Sequence, residues 1–466
     1  MTDRALHVYH RLPSFARSIV ASMRGLYLRS WRYGPETEAL VAQSLEREHW
    51  SSERWRSWQN ERLSYVLHRA ATQVPYYRAQ WQERRRHGDR SSPDYLENWA
   101  TLDKESVRRN PRAFVADDCD VRKMFREHTS GSTGKPLDIW WSRKTVREWY
   151  ALFEARWRCW YGLSRFDRWA ILGGQLVISI HQRQPPFWVW NASLHQLYMS
   201  SYHLAAEFIP YYLDALKQYR IQYLWGYTSA LYTLAQEALR LGRDDLNMKV
   251  VVTNAEPLND YQRREIEKAF HCPCRETYGM AEIVAAASEC ESDRLHLWPE
   301  VGLIEINNDN HFNRVNPSGS FICTGLLNDD MPLIRYVVGD RGTLANDASC
   351  SCGRTMPLMN SVEGRTDDVL FTIDGRCIGR LDPVFKSQLP IREAQIIQES
   401  LSQVRVRYVP APGYVPENGT LISERLKERM GEVNVILESV KEIPRGANGK
   451  FRAVICQIPS TEHQVG

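Results

Sequence analysis

The sequence predicts an α/β fold, and three observations lead to this prediction. From about Phe125 onward, short apolar runs separated by Gly, Pro, Asn and Asp alternate with helical stretches, a pattern typical of α/β cores. The 466 residues are 43% hydrophobic and 25% charged, as in globular proteins. Since domains average about 150 residues, the length favours two to four of them.

The first hundred residues are predicted to be helical. Apolar residues recur at spacings of three and four along one face of a predicted helix, and Pro75 ends that run. The apolar residues of this face are Leu63, Val66, Leu67, Ala70 and Val74.

This helical segment is also basic, with sixteen Arg, no Lys and eleven Asp or Glu in residues 1–100. The favoured interpretation is a solvated helical cap over the core. The alternative is a surface that rests on an anionic membrane or polymer through Arg84, Arg85 and Arg86.

Several strands, a helix and a domain boundary can be predicted further along the chain. Residues 250–253 and 321–324 are predicted strands, and residues 230–241 a predicted helix. A boundary is expected at residues 364–368, where GRTDD precedes an apolar strand. The segment 369–458 is then predicted to form a small strand–helix–strand unit.

Charge and hydropathy exclude several classes of protein. The net charge of +4 is too small to indicate a nucleic-acid-binding protein. The longest apolar stretch, residues 170–180, contains Gln175 and is too short to span a bilayer. No signal peptide is recognisable, so we expect a soluble, cytoplasmic protein whose ten cysteines are free or metal-bound rather than disulfide-linked. The oligomeric state stays open, with a homodimer as one option.

The segment HTSGSTGKP at residues 128–136 is the most informative part of the sequence. Glycines allow the backbone to approach an anion, while N–H groups, hydroxyls and a lysine favour phosphate oxygens. The Walker spacing is absent, because Gly134-Lys135 is followed by Pro136. The candidate phosphate-binding residues are Thr129, Ser130, Gly131, Ser132, Thr133, Gly134 and Lys135.

HTSGSTGKP resembles the phosphate-binding signature of the adenylate-forming superfamily, which includes acyl-CoA synthetases, luciferases and nonribosomal adenylation domains. Four further segments resemble that superfamily's motifs in the same order: ETYGMAE (276–282), YVVGD (336–340), GRTDDVL (364–370) and PRGANGK (444–450). NAEPL (254–258), MPLIRY (331–336) and SCGRTMP (351–357) are similar to phenylacetate-CoA ligases and CapK-type proteins.

The resemblance implies a large N-terminal multi-sheet core and a small mobile C-terminal α+β lid. Residues 1–110 would form a helical cap on the large domain, 111–366 the adenylate-forming core and 367–466 the lid, with Asp367 as the hinge.

The resemblance also implies an enzyme that uses ATP and Mg²⁺ to convert a small carboxylic acid into an acyl-adenylate, releasing pyrophosphate. Coenzyme A is the expected acyl acceptor. A CapK-like alternative passes the acyl group to an amine or hydroxyl in polysaccharide or natural-product biosynthesis. A second alternative is a non-catalytic binding or assembly protein that retains the fold.

The family's residue roles transfer as follows. Lys450 would bridge the substrate carboxylate and the α-phosphate, and Glu282 would hold Mg²⁺. Asp340 would contact the ribose, and Arg365 would contact the ribose or a phosphate. Ala281 departs from the usual Thr or Ser, which removes one hydrogen bond worth about 1.5–3 kcal/mol. The adenine site would comprise Ala255, Glu256, Pro257, Glu276, Thr277, Tyr278, Gly279 and Met280.

Cys290, His296, Cys350 and Cys352 offer the donor set that structural Zn²⁺ prefers, and the phenylacetate-ligase and CapK branch carries a similar pattern. Cys272 and Cys274 are instead predicted to be core residues. The acyl pocket is expected near Trp225, Tyr227 and Trp140, although buried aromatic residues more often belong to the core.

Overall fold

The computed structural model describes residues 3–128, 137–256, 258, 260–307, 318–345, 349–362, 370–373, 377–378, 384, 389–441, 443 and 454–458. Over these residues the chain is a mixed α/β protein, which confirms the predicted fold class.

Helices dominate the N-terminal region, as predicted. They are α1 (Asp3–Arg11), α2 (Ser14–Arg32), α3 (Thr37–Arg47), α4 (Ser52–Gln73), α5 (Pro75–Arg86) and α6 (Lys104–Arg109). Ser51 caps α4 by accepting a hydrogen bond from the backbone N–H of Arg54. Pro75 ends α4 and begins α5, because proline lacks an N–H but suits a first helical turn. The predicted face of α4 is buried at Val66, Leu67 and Ala70.

Strands dominate the middle of the chain. They are β1 (Phe125–His128), β2 (Asp138–Trp141), β3 (Trp169–Gly173), β4 (Trp188–Asn191), β5 (Gln196–Ser200), β6 (Tyr223–Tyr227), β7 (Val250–Asn254), β8 (Cys274–Gly279), β9 (Ala286–Glu289), β10 (Leu295–Leu297), β11 (Gly302–Asn307), β12 (Ser318–Gly325), β13 (Tyr336–Leu344) and β14 (Leu358–Val362). The helices between them are α7 (Arg143–Trp157), α8 (Ile209–Gln218), α9 (Thr228–Arg240) and α10 (Asp260–Phe270). Short 3₁₀ helices occupy Leu96–Asn98, Pro111–Phe114, Val121–Lys123, Cys159–Tyr161, Ala192–Leu194 and Ser201–His203.

Within the described residues, one mixed sheet has the strand order β11-β12-β13-β14-β10-β9-β8-β7-β6-β3-β5-β4, and β1 and β2 form a separate antiparallel pair. The strands β5, β3, β6, β7 and β8 run parallel. Their residues form nearly continuous apolar runs, such as the buried start of β7, because helices cover both faces of parallel sheets. The carboxyl ends of β6, β7 and β8 therefore meet at one edge of the sheet, where ligands commonly bind in α/β proteins.

The C-terminal segment forms the predicted strand–helix–strand unit. Its elements are β15 (Leu370–Phe371), β16 (Cys377–Ile378), β17 (Ile391–Ser400), β18 (Gln403–Pro410), α11 (Pro416–Met430), β19 (Asn434–Ser439) and β20 (Val454–Cys456). Four of its strands form a sheet in the order β19-β18-β17-β20. Ile422 and Leu426 of α11 are fully buried in the core of this unit, which also includes Ile180 and Tyr202 from the preceding part of the chain. The boundary expected at residues 364–368 lies outside the described residues.

Aromatic residues fill the main core. The ring of Trp225 lies 4.8 Å from Trp157 and stacks on Phe153 at 5.1 Å. Trp140 is also buried in this core. The core interpretation therefore applies to Trp140 and Trp225, while Tyr227 is only half-buried at the carboxyl end of β6.

Cys272 and Cys274 are buried in the core beneath the parallel strands, as predicted. Their thiols lie among apolar side chains, and burial raises the pKa of Cys272 to about 12, so both behave as small hydrophobic residues.

Many arginines of the N-terminal helices bind intramolecular partners. Arg62 pairs with Asp329 at 2.9 Å and Arg69 with Asp330 at 3.0 Å. Within Arg84–86, Arg84 pairs with Asp89 at 2.6 Å, and the other two bind nearby backbone and side-chain oxygens. These contacts favour the solvated-cap interpretation for that triplet. In the part of the chain that the structure describes, no helix has the length and hydropathy needed to cross a bilayer.

Candidate active site

Side-chain hydrogen bonds to backbone carbonyls join the carboxyl ends of β6, β7 and β8. The Thr277 hydroxyl donates to the carbonyl of Thr253 at 2.7 Å, and the Thr228 hydroxyl donates to the carbonyl of Glu256 at 2.9 Å. Between these contacts Ala255 has a φ of +65°. The left-handed region costs a residue with a Cβ about 1–2 kcal/mol, and such strain is concentrated at functional sites.

Tyr278 and Asp340 are brought together across the sheet. The Tyr278 hydroxyl, at the end of β8, donates to Asp340 Oδ2 at 2.9 Å, although 62 residues separate the two in sequence. The Tyr278 ring is buried and packs edge-on against Phe321. The expected adenine residue and the expected ribose residue are therefore direct neighbours.

Glu282 lies in the turn after β8 and holds a buried carboxylate. Lys104 Nζ lies 3.2 Å from its Oε1, and the Tyr336 hydroxyl donates to the same oxygen at 3.1 Å. Burial opposes ionisation of this group, but the charge of Lys104 and these hydrogen bonds outweigh it and lower the pKa of Glu282. Glu282 is consequently an anion at neutral pH, as a ligand for a hard cation must be.

Glu276 has the opposite protonation behaviour. Burial, reinforced by the neighbouring Glu289 carboxylate, raises the pKa of Glu276 to about 7. Its side chain accepts a hydrogen bond from the backbone N–H of Leu258 at 3.4 Å. Glu289 is itself held by Arg263, with 2.8 and 2.9 Å contacts, and the Glu276 carboxyl beside it is about half protonated at neutral pH.

Sequence reasoning did not find Lys104. It lies 178 residues before Glu282, in the first turn of α6, whose N-cap is Asp103. A backbone bridge from Leu102 to Tyr336 places this helix against β13. The only local signal was the helix-capping pattern, which indicates a helix start but no contact with Glu282.

A second cluster lies outside the sheet edge, between the β9–β10 turn and the loop before β14. The donor atoms of Cys290, His296, Cys350 and Cys352 lie within 4.8 Å of one another. Cys290 Sγ is 3.6 Å from Cys350 Sγ, and Cys352 Sγ is 3.4 Å from His296 Nε2. The structure thus brings together all four residues that the sequence predicted as zinc ligands.

The surroundings of this cluster suit a metal ion. His296 Nδ1 lies 3.3 Å from the carbonyl of Met356, a partner that leaves Nε2 to face the three sulfur atoms. Burial lowers the pKa of His296 to about 4, so the imidazole is neutral and able to bind a metal. Three thiols and a neutral imidazole match a closed tetrahedral zinc site.

The chain is similar to known proteins over most of its length. Residues 370–457 match the family model described as the CapK C-terminal domain. The chain is 27% identical over 374 residues to Protein CapK of Staphylococcus aureus, covering 77% of this chain and 79% of that protein. It is 23% identical over 465 residues to the phenylacetate-coenzyme A ligase of Thermus thermophilus, covering 91% and 99%.

Among solved structures, 2-hydroxyisobutyryl-CoA ligase in complex with 2-HIB-AMP and CoA in the thioesterification state has the same fold. The TM-score is 0.55 at 22% identity, over 88% of this chain and 91% of that one. These similarities support a place in the adenylate-forming superfamily, in the CapK and phenylacetate-CoA ligase branch.

Only part of the expected site lies within the described residues. Ala255, Glu256, Glu276–Met280 and Glu282 are described and lie in or shortly after β7 and β8, and Asp340 is described in β13. The expected residues that lie outside the described part are Thr129, Ser130, Gly131, Ser132, Thr133, Gly134, Lys135, Pro257, Arg365, Asp367 and Lys450.

Proposed function

We propose that this protein is an ATP-dependent, AMP-forming ligase that activates a small carboxylic acid as an acyl-adenylate and transfers the acyl group to coenzyme A. The observation that carries the proposal is the Tyr278–Asp340 contact of 2.9 Å beside the buried, ionised Glu282. An aromatic face next to a carboxylate suits a nucleoside, because the ring stacks on a base while the carboxylate accepts bonds from ribose hydroxyls.

The remaining roles follow from the chemistry of the side chains. Glu282 would hold Mg²⁺, which prefers carboxylate and phosphate oxygens. Residues 129–135 would surround the β- and γ-phosphates, and Arg365 would contact ribose or phosphate. Lys450 would neutralise charge as the substrate carboxylate attacks the α-phosphate and pyrophosphate leaves. Such transfers depend mainly on positioning and charge stabilisation.

The decisive experiment is ATP–pyrophosphate exchange with a panel of carboxylic acids. We expect exchange with at least one acid in the unmodified protein and a loss of at least about a hundredfold in Lys450→Ala. Lys441→Ala replaces an exposed lysine nine residues earlier in the sequence; it is the matched control and should exchange normally. The absence of exchange with every acid would favour a non-catalytic protein that retains the fold.

A second candidate acceptor is supported by the CapK family model over residues 370–457 and by the CapK relative. In this alternative the acyl group passes to an amine or hydroxyl in polysaccharide or natural-product biosynthesis. Product analysis of the adenylating enzyme, supplied with coenzyme A or with amino sugars and amino acids, distinguishes a thioester from an amide or ester.

A division into a large domain and a rotating lid would support a two-step cycle. We assign residues 1–110 to a helical cap on the large domain, 111–366 to the core and 367–466 to a lid that rotates about Asp367. Asp367→Pro should retain pyrophosphate exchange but lose acyl transfer, because a fixed φ at the hinge restricts rotation. Equal loss of both half-reactions would contradict this assignment.

We also propose that Cys290, His296, Cys350 and Cys352 hold a structural Zn²⁺. Four protein ligands leave no open position, so the ion would fasten the β9–β10 turn to the loop before β14. Metal analysis of the purified protein should give about one zinc per chain and close to none in Cys350→Ser. Cys119→Ser, a half-buried cysteine outside the cluster, should retain its zinc. Equal zinc content in all three proteins would refute the assignment.

A further inference from the structure

Exposed apolar side chains are concentrated on one short part of this protein. Of the fifteen large hydrophobic residues that are exposed among those described, seven lie within residues 8–27 and six of these belong to α2. The most exposed members on α2 are Phe15 (69%), Met23 (65%), Leu26 (59%) and Ile19 (55%). Isolated exposed apolar residues are normal, but a contiguous group marks an interaction surface.

These residues form a stripe along the helix. At about 100° per residue, the six exposed apolar side chains cover an arc of about 140° on α2. We call this surface the α2 stripe; it consists of Phe15, Ile19, Val20, Met23, Leu26 and Tyr27. Since α2 has nineteen residues, the helix is about 28 Å long.

The opposite face of α2 is fixed to the edge of the large sheet. Gly25 is buried against the side chain of Asn191 in β4. The Ser18 hydroxyl accepts a hydrogen bond from the backbone N–H of Trp190 at 3.2 Å, and Arg17 donates to Gln182 at 3.0 Å. The α2 stripe is therefore presented outward by a docked helix, and rotating it inward would break these contacts.

The charges around the α2 stripe select its partner. Residues 4–35 contain six Arg and no Asp, Glu or Lys. On the helix, exposed Arg24 and Arg29 lie about 40° beyond the two sides of the stripe. A second copy of this face would bring arginines against arginines, which is unfavourable. An apolar stripe between arginines is instead the pattern of helices that lie in the interface of an anionic membrane.

We propose that the α2 stripe docks this protein on the surface of an anionic lipid bilayer. Phe15, Ile19, Met23 and Leu26 would enter the boundary between head groups and acyl chains, while Arg24 and Arg29 would reach the lipid phosphates. The helix would lie in the plane of the surface. This inference is independent of the proposed ligase activity, because the α2 stripe lies at the β4 edge of the sheet and contains none of the residues assigned to catalysis.

Co-sedimentation of the full chain with vesicles tests the proposal. We expect binding to vesicles of 70% phosphatidylcholine and 30% phosphatidylglycerol, weaker binding to pure phosphatidylcholine, and a loss of binding as salt is raised. The triple variant Phe15→Ser/Ile19→Ser/Met23→Ser should bind at least about tenfold more weakly. Arg24→Gln/Arg29→Gln should lose about fivefold per arginine on the anionic vesicles.

The matched control replaces three exposed apolar residues elsewhere, Tyr95→Ser/Phe166→Ser/Tyr211→Ser, and should bind vesicles normally. Thermal unfolding of each variant confirms folding, and pyrophosphate exchange should be unchanged in all of them. Equal vesicle binding by the control and the Phe15 triple variant would overturn the proposal. Failure of the unmodified protein to bind anionic vesicles would overturn the proposal as well. This holds whether the protein stays monomeric, self-associates through α2 in analytical ultracentrifugation, or binds an acidic protein instead.

Discussion

Replacing Tyr278 by Phe tests the nucleotide site at a single hydrogen bond. The substitution keeps the buried ring, which packs against Phe321, and removes only the hydroxyl that donates to Asp340 at 2.9 Å. A hydrogen bond to a charged group contributes about 1.5–3 kcal/mol. Water can replace part of this bond, so we expect a loss near 1.5 kcal/mol, which is about a tenfold weaker affinity.

Isothermal titration with AMP measures this effect without knowledge of the acid substrate. Tyr77→Phe is the control, since its buried hydroxyl donates to the carbonyl of Pro332 at 3.2 Å and accepts from the N–H of Ile334 at 3.0 Å. It should lower stability but leave AMP affinity unchanged. If Tyr278→Phe loses stability as Tyr77→Phe does while binding AMP normally, the Tyr278–Asp340 contact is structural and the reasoning is refuted.

Three further substitutions probe buried charges. In Lys104→Met, Glu282 stays buried but loses the neighbouring ammonium group, so the pKa of Glu282 should rise and the free energy of unfolding at pH 7 should fall by about 3 kcal/mol. The unmodified protein loses this stabilisation only as the pH falls through the lowered pKa of Glu282, and urea unfolding with identical pH profiles for both proteins would contradict the ion pair. Glu276→Gln removes a carboxyl whose pKa is raised to about 7, a shift that stabilises the fold at low pH and loses its effect as the pH rises through 7. The variant should therefore gain roughly 3 kcal/mol relative to the unmodified protein at pH 8.5 compared with pH 4, and a constant difference between the two pH values counts against the shift. Arg156→Met should destabilise the fold by about 3–5 kcal/mol, because Arg156 is fully buried and binds both oxygens of Glu300 at 2.8 and 2.9 Å. A change below about 1 kcal/mol in calorimetry would show that other groups compensate the Glu300 charge.

The sequence by itself determined the elements whose cause is local. The apolar spacing of α4 fixed its buried face, and Pro75 fixed its end, because periodicity and the missing N–H act within a few residues. The alternation after Phe125 likewise predicted the α/β core. The donor types of Cys290, His296, Cys350 and Cys352, together with the resemblance to the phenylacetate-ligase and CapK branch, predicted the cluster that these four residues form, since thiolate and imidazole are chemically specific ligands.

The tertiary structure alone decided which distant groups meet. Lys104 reaches Glu282 only because the Leu102–Tyr336 bridge sets α6 against β13. The alternative that the sequence offered for an anionic-surface contact was Arg84–86, whereas the structure gives those side chains intramolecular partners and leaves the α2 stripe exposed. Hydropathy shows that a helix has an apolar face, but whether that face meets the core or the solvent depends on which side the rest of the fold binds. Here β4 binds the serine and glycine side of α2, and the apolar side is left outward.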